Sequence, residues 1–174
     1  IEMNLVRTNR NIKLAVNTGV ERHPVPVLGI DYRVKIVYKN IKITQLDIDN
    51  KTIKISLPNK YKKMSSKEIL DLAIEKMYEQ IAKVEIERAM EKTRIMLGFA
   101  PEEYEIEKMK VWGKCVDNKI TINPEIVMYN RNIIDYVVLH QYCHLKYKTH
   151  SKSFWNLVRK YEDKYEKYEE IIKI

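Results

Sequence analysis

From Ile133 to Trp155 the chain reads IIDYVVLHQYCHLKYKTHSKSFW, and this stretch holds three of the protein's four histidines, His140, His144 and His150. The apolar run from Ile133 to Leu139 contains no Gly or Pro and predicts the buried first turns of a helix, with Asn130 or Asn132 as its N-cap. On a continuing helix His140 and His144 lie at i and i+4 and leave from one face, about 6 Å apart at Cβ. Two imidazoles so placed can hold one metal ion through ring nitrogens at roughly 2.0–2.1 Å. Two histidines on a helix are often structural. Three within eleven residues, in a chain with one other, point to a metal.

The spacing is the H-E-x-x-H pattern of zinc hydrolases with one letter changed, since Gln141 stands where the general-base Glu belongs. A third ligand is needed. His150 follows His144 with five residues between them, far enough for the helix to end and the chain to return. The rival is an acidic residue on the next helix, Glu162 or Glu166. His150 is preferred. Gln141 is not a ligand, so metal binding should survive the change. Its amide can orient a water but cannot take its proton, and loss of a general base typically lowers rate by about 10²–10⁴. The site is expected to bind Zn²⁺ and turn over poorly.

The segment Ile134-Asp135-Tyr136-Val137-Val138, with His140, Cys143-His144-Leu145, His150-Ser151 and Phe154-Trp155, resembles the YgjP-like metallopeptidase domain. That family is related to the SprT-like and WLM zinc metalloproteases. Upstream, Trp112-Gly113, Cys115, Ile120 and Ile122-Asn123 resemble the hairpin that precedes the family's zinc helix. The resemblance is close from Trp112 to Trp155 and only general in layout before that. It implies an α+β zincin-like core: a long backing helix, a β-hairpin with an edge strand, the metal helix and a C-terminal helix. It also implies a zinc-dependent peptidase acting on a peptide or protein substrate, with Trp112, Gly113 and Lys114 on the substrate-binding edge. Gln141 for Glu makes this chain an inactive or weakly active form. Lys114 for the usual Ser and Val111 for the usual Arg alter the substrate edge.

Two other functions remain open at this stage. One is a metal-dependent nucleotide phosphohydrolase, against which stands the lack of a Walker loop or carboxylate cluster. The other is a non-catalytic, metal-stabilised binding module in which Gln141 is native.

The remaining chain supplies the scaffold. Residues 1–64 read as a small β-rich subdomain and 65–174 as the metal-binding core. Strands are expected at Ile12–Val16 (with Gly19 in the turn after it), Tyr32–Tyr38, Leu46–Ile48 and Thr52–Leu57, the last two around a turn at Asp49-Asn50-Lys51. His23-Pro24-Val25-Pro26 reads as an irregular connection, with His23 at the surface. Ser65 and Glu68 form a capping box that opens the longest helix. Its inner stripe reads Ile69, Ala73, Met77, Ile81 and Val84, with Glu85, Glu87, Arg88, Glu91 and Lys92 on a solvated face, and Gly98 stops it. Strands are expected at Lys108–Trp112 and Lys119–Ile122 around a turn at Asp117-Asn118. Ser151 should cap a final helix that packs Phe154 and Trp155 inward.

The net charge of +8 permits an anionic partner such as nucleic acid, but no recognised binding motif accompanies it. No run of eighteen apolar residues appears, so no membrane span is expected. The two cysteines, Cys115 and Cys143, lack a disulfide framework, and the expected location is the reducing cytoplasm. Abundant Lys, Glu and Ile with few Gln and Cys resembles a heat-adapted composition.

Overall fold

The structure, a computed structural model, describes residues 3–5 and 24–172; the strand expected at Ile12–Val16, the turn at Gly19 and His23 lie outside them. The chain divides into two compact units, Ile1–Gln80 and Ile81–Ile174.

The first unit carries five strands: β1 (Met3–Leu5), β2 (Val25–Val27), β3 (Ile30–Lys39), β4 (Thr44–Asp49) and β5 (Thr52–Pro58). They form one sheet in the order β1-β4-β5-β3-β2. β4 and β5 make the antiparallel hairpin expected from the sequence, turning at Asn50 with φ of 44°. β3 lies parallel to β5, which places Val34 beside Ile53 and Ile36 beside Ile55. The connection expected around Pro24–Pro26 is partly a strand. β2 is an edge, where a proline costs no ladder bond, and the Pro26 carbonyl accepts the Tyr78 hydroxyl at 2.7 Å.

Helix α1 (Ser66–Leu97) begins in this unit and continues into the second. Its N-terminus is the expected capping box: the Ser65 hydroxyl accepts Glu68 N–H at 3.3 Å, and Glu68 reaches back to Ser65 N–H at 3.4 Å. It stops at Gly98, whose φ of 78° suits a residue without Cβ and whose N–H donates to Arg94 O. Ile69, Ala73 and Met77 are buried as expected, but Val84 is 60% exposed. Within the second unit the buried positions of α1 are Ile81, Ala82, Glu85, Ile86, Ala89, Met90 and Thr93.

The second unit adds β6 (Glu103–Ile106), β7 (Gly113–Val116) and β8 (Lys119–Ile122), ordered β6-β8-β7. Asp117 and Asn118, with φ of 48° and 61°, make the tight turn of the β7–β8 hairpin. The strand expected at Lys108–Trp112 is instead β7, starting at Gly113. Asn123 explains the difference. Its side-chain amide donates to Met109 O and Val111 O, and its backbone N–H donates to Trp112 O, holding 109–112 as a loop. Three helices follow: α2 (Arg131–Lys146), α3 (Lys152–Tyr161) and α4 (Tyr165–Ile172). Asn130 caps α2 and Ser151 caps α3, each accepting a third-position backbone N–H.

Helix α2 is buried along Ile133–Cys143 except at Asp135. Glu85, read from the sequence as solvated, is 5% exposed. It accepts Arg131 through two hydrogen bonds, at 2.9 and 2.7 Å, and Arg88 at 3.1 Å. Arg88 and Lys92 also pair with Asp135, each at 2.6 Å. Asp135 therefore serves the α1–α2 contact. Hydrogen bonds from Arg131 hold the Glu85 carboxyl below its ordinary value despite burial. A depressed carboxyl stabilises the fold above its unfolded value and loses that contribution as pH falls through its folded one. The thermal midpoint should therefore fall with pH once below about 4.5, and Glu85→Gln should flatten part of that fall. Glu85→Ala should lower stability by about 1–3 kcal/mol, measured by denaturant unfolding at pH 7.

Candidate metal centre

The last turns of α2 present His140 and His144, four residues apart, and the loop before α3 brings back His150. Their ligand atoms all lie within 4.8 Å of one another. His150 Nε2 is 3.0 Å from His140 Nε2 and 3.1 Å from His144 Nε2. His140 is buried, His144 half-buried and His150 exposed, so the cluster opens to solvent on one side.

The outer ring nitrogens decide what the inner ones can do. His144 Nδ1 lies 2.9 Å from Tyr147 O, a pure acceptor, so Nδ1 carries the proton and Nε2 is bare. His140 Nδ1 faces Glu169 Oε1 at 3.3 Å and the Tyr136 hydroxyl oxygen at 3.2 Å. Tyr136 O–H donates to the same carboxylate oxygen. His140 Nδ1–H therefore donates outward and its Nε2 is bare as well. Two bare lone pairs face His150 Nε2, which has at most one proton to share between them. A cation satisfies all three nitrogens together. A tetrahedral zinc site with bonds of 2.0–2.1 Å has nitrogen–nitrogen edges of about 3.3 Å, close to the two short separations. The donor set fits a metal of the zinc class.

Electrostatics favour the neutral form of His144 and His150 that ligation requires. Burial lowers the pKa of His144, and the neighbouring histidines lower it further. Burial also lowers that of His150, with His140 adding to the effect. Burial alone would raise the Glu169 carboxyl, but hydrogen bonds from His140 and Tyr136 outweigh it and hold it below its ordinary value. Burial and Glu169 together push the Tyr136 phenol well upward, so it remains a donor.

Phe154 packs its buried ring against all three imidazoles, with centroid separations of 4.9, 4.5 and 4.9 Å. Trp155 stacks on His150 at 5.4 Å and on Tyr165 at 5.1 Å. These contacts limit ring rotation. Glu162 and Glu166, the rival third ligands, are turned elsewhere: Glu162 accepts Lys164 N–H and Glu166 accepts the Tyr165 hydroxyl. Glu169 was missed by sequence reasoning. Its signal is the inward face of α4, where Tyr165 and Ile172 are buried at either side of it at helical spacing.

Gln141 is 2% exposed. Its side chain lies against the backbone of Gly113, where an added Cβ would fall 2.9 Å from Cγ, 3.0 Å from Nε2 and 3.1 Å from Cδ. Only a glycine lets β7 approach this closely. Trp112 is held by its indole N–H, which donates to Ile172 O at 3.0 Å, and by edge contact with Tyr129. Lys114 and Val116 alternate outward from β7. Cys143 is fully buried, and burial pushes its thiol up to about 12, so it is an inert apolar filler. The hydroxyls of Tyr136 and Tyr142 are both engaged away from the cluster's open side, Tyr142 with Met90 O.

An α+β scaffold with three convergent imidazoles on a buried helix and the loop after it is the arrangement of a metal-dependent hydrolase. A family model, the YgjP-like metallopeptidase domain, matches residues 1–174, and the chain belongs to that family. Among solved structures it is similar to the metallopeptidase zymogen of Pyrococcus abyssi abylysin, with 25% identity over 50% of this chain and 90% of that one, at a TM-score of 0.45. The zymogen of Methanocaldococcus jannaschii jannalysin gives 23% identity, 51% and 94% coverage, and the same TM-score. No curated protein matches the chain significantly.

Gly113→Ala should displace the Gln141 side chain and destabilise the protein by about 1–3 kcal/mol. In a Gln141→Ala background the same substitution should be close to neutral, a coupling that a double-mutant cycle of unfolding free energies will measure.

Proposed function

We propose that this chain is a zinc peptidase domain in which His140, His144 and His150 hold the metal and Gln141 occupies the general-base position. The observation that carries this reading is the meeting of three Nε2 atoms whose outer ring nitrogens, at His140 and His144, already have acceptors. When bound, zinc supplies Lewis acidity for polarising a peptide carbonyl and acidifying a water. The chain's own residues do the rest. Phe154 and Trp155 fix the imidazoles and keep water from their inner side. The free edge of β7, bearing Gly113 and Lys114 next to Trp112, offers backbone groups for pairing with an extended peptide. Gln141 lies against that strand at Gly113. Its amide can orient a water there, but it has no basic oxygen to take the proton, so hydrolysis is slowed by about 10²–10⁴.

The Gln141 amide, which cannot take a proton, also favours a second reading, a binding module that holds a peptide partner without cleaving it. Two free cysteines, half-buried Cys115 and buried Cys143, suit a reducing compartment. Among the described residues no helix is long and apolar enough to cross a membrane.

Metal content and casein cleavage should be measured on this chain and on Gln141→Glu in parallel. One zinc per chain in both, with cleavage appearing or rising at least 100-fold only in the Glu form, is the expected result. Zinc in both without cleavage by either moves the assignment to the binding module, or to nucleotide hydrolysis if a nucleotide panel is positive. Absence of stoichiometric metal in both would sink the proposal.

A further inference from the structure

We infer that Glu169, on the C-terminal helix α4, is a positioning residue for the metal centre: it anchors the outer nitrogen of His140, so that metal binding and docking of α4 reinforce one another. The inference rests on the metal reading of the three histidines and extends it to a helix that contributes no ligand.

Helix α4 reaches the site through a narrow set of contacts. Tyr165 and Ile172 are buried at 7% and 4% exposure, and Glu169 lies between them on the same face, with its side chain 23% exposed. A carboxylate in such a position requires strong partners. Glu169 has two, Nδ1–H of His140 and O–H of Tyr136, and both converge on one oxygen. Tyr136 is 1% exposed, and its ring packs against Tyr168 of the same helix at 5.5 Å. It thus meets the carboxylate oxygen alongside His140, with its hydroxyl oxygen 3.2 Å from His140 Nδ1. The neighbouring acids cannot substitute, because Glu166 bonds Tyr165 and Glu162 bonds Lys164 N–H.

The chemistry follows from the imidazole. A carboxylate on Nδ1–H fixes the tautomer with Nε2 bare, fixes the ring plane, and makes Nε2 a better donor to a cation. A cation on Nε2 in turn makes Nδ1–H a stronger hydrogen-bond donor to Glu169. By linkage the two effects are reciprocal, so occupation of the site tightens α4 by the same factor that docked α4 tightens the metal. The helix is fastened independently at its end, where Trp112 donates to Ile172 O. Weakening Glu169 should therefore change metal affinity without releasing the helix.

Zinc affinity should be measured by chelator competition on the full chain, on Glu169→Ala, Glu169→Gln and Tyr136→Phe, and on Glu166→Gln as a control from the same helix. Glu169→Ala is expected to weaken binding about 10–100-fold and Glu169→Gln about 10-fold, while Glu166→Gln stays within twofold. Hydrogen exchange of Tyr165–Ile172 supplies a second readout. Zinc should slow it in the unaltered chain and leave it unchanged in both Glu169 variants. Zinc binding by the unaltered chain, with Glu169→Gln within twofold of it and equally protected, would overturn the positioning role and leave the metal reading intact. Failure of the unaltered chain to bind zinc would remove both. Glu169→Gln keeps the side-chain shape and decides the matter if Glu169→Ala does not fold.

Discussion

A helix buried on nearly every side cannot carry an imidazole near its end unless both ring nitrogens have something to bond. Helix α2 accepts that constraint at His140, which is 1% exposed. One nitrogen is answered by Glu169, and the other is turned toward two further imidazoles. Leaving either unmet would cost a desolvation penalty of about 1–3 kcal/mol. Much of the surrounding structure serves this requirement. The α2 C-terminus supplies Tyr147 O for His144, the Ser151 cap turns the chain so that His150 returns, and Phe154 fills the space between the rings.

The position of α2 is set at its other end by ions. Arg131, in the first turn, grips Glu85 with two hydrogen bonds, while Arg88 and Lys92 hold Asp135 one turn later. Arg131 and Lys92 are more than half exposed, so each such contact with water access contributes little alone. Buried Glu85 is different, because its charge has no other partners among the described residues. The network therefore fixes the lateral position of the two helices more than it adds to stability. Histidines three turns further along α2 inherit that placement.

What could be read from the sequence was local. The capping box at Ser65 and Glu68, the caps at Asn130 and Ser151, the Asp117-Asn118 turn and the approach of three histidines all depend on short chain separations. The α+β class came with the family resemblance carried by Trp112–Trp155. Contacts across long separations were harder. Glu85 alternates with Arg88 and Lys92 on a helix face that looks solvated until Arg131, 46 residues away, draws it inward. Val84 sits at a spacing that fits the stripe from Ile69, yet it is exposed and the buried positions on either side of it are Ala82 and Glu85. The loop before β7 resembles a strand by alternation, but Asn123 bonds its carbonyls first. Glu169 is 29 residues beyond His140 on a separate helix, and the sequence contains many other acids nearby.

The close approach of Gly113 to Gln141 has a further consequence under the peptidase reading. A peptide added alongside β7 would lie one strand spacing away, about 4.7–4.9 Å, and its register would be counted from a backbone atom already touching the side chain at position 141. The bond presented to the centre would then be chosen by distance along the peptide, as on a ruler, with little need for a deep side-chain pocket. Selectivity of that kind favours extended, unfolded segments over any particular sequence.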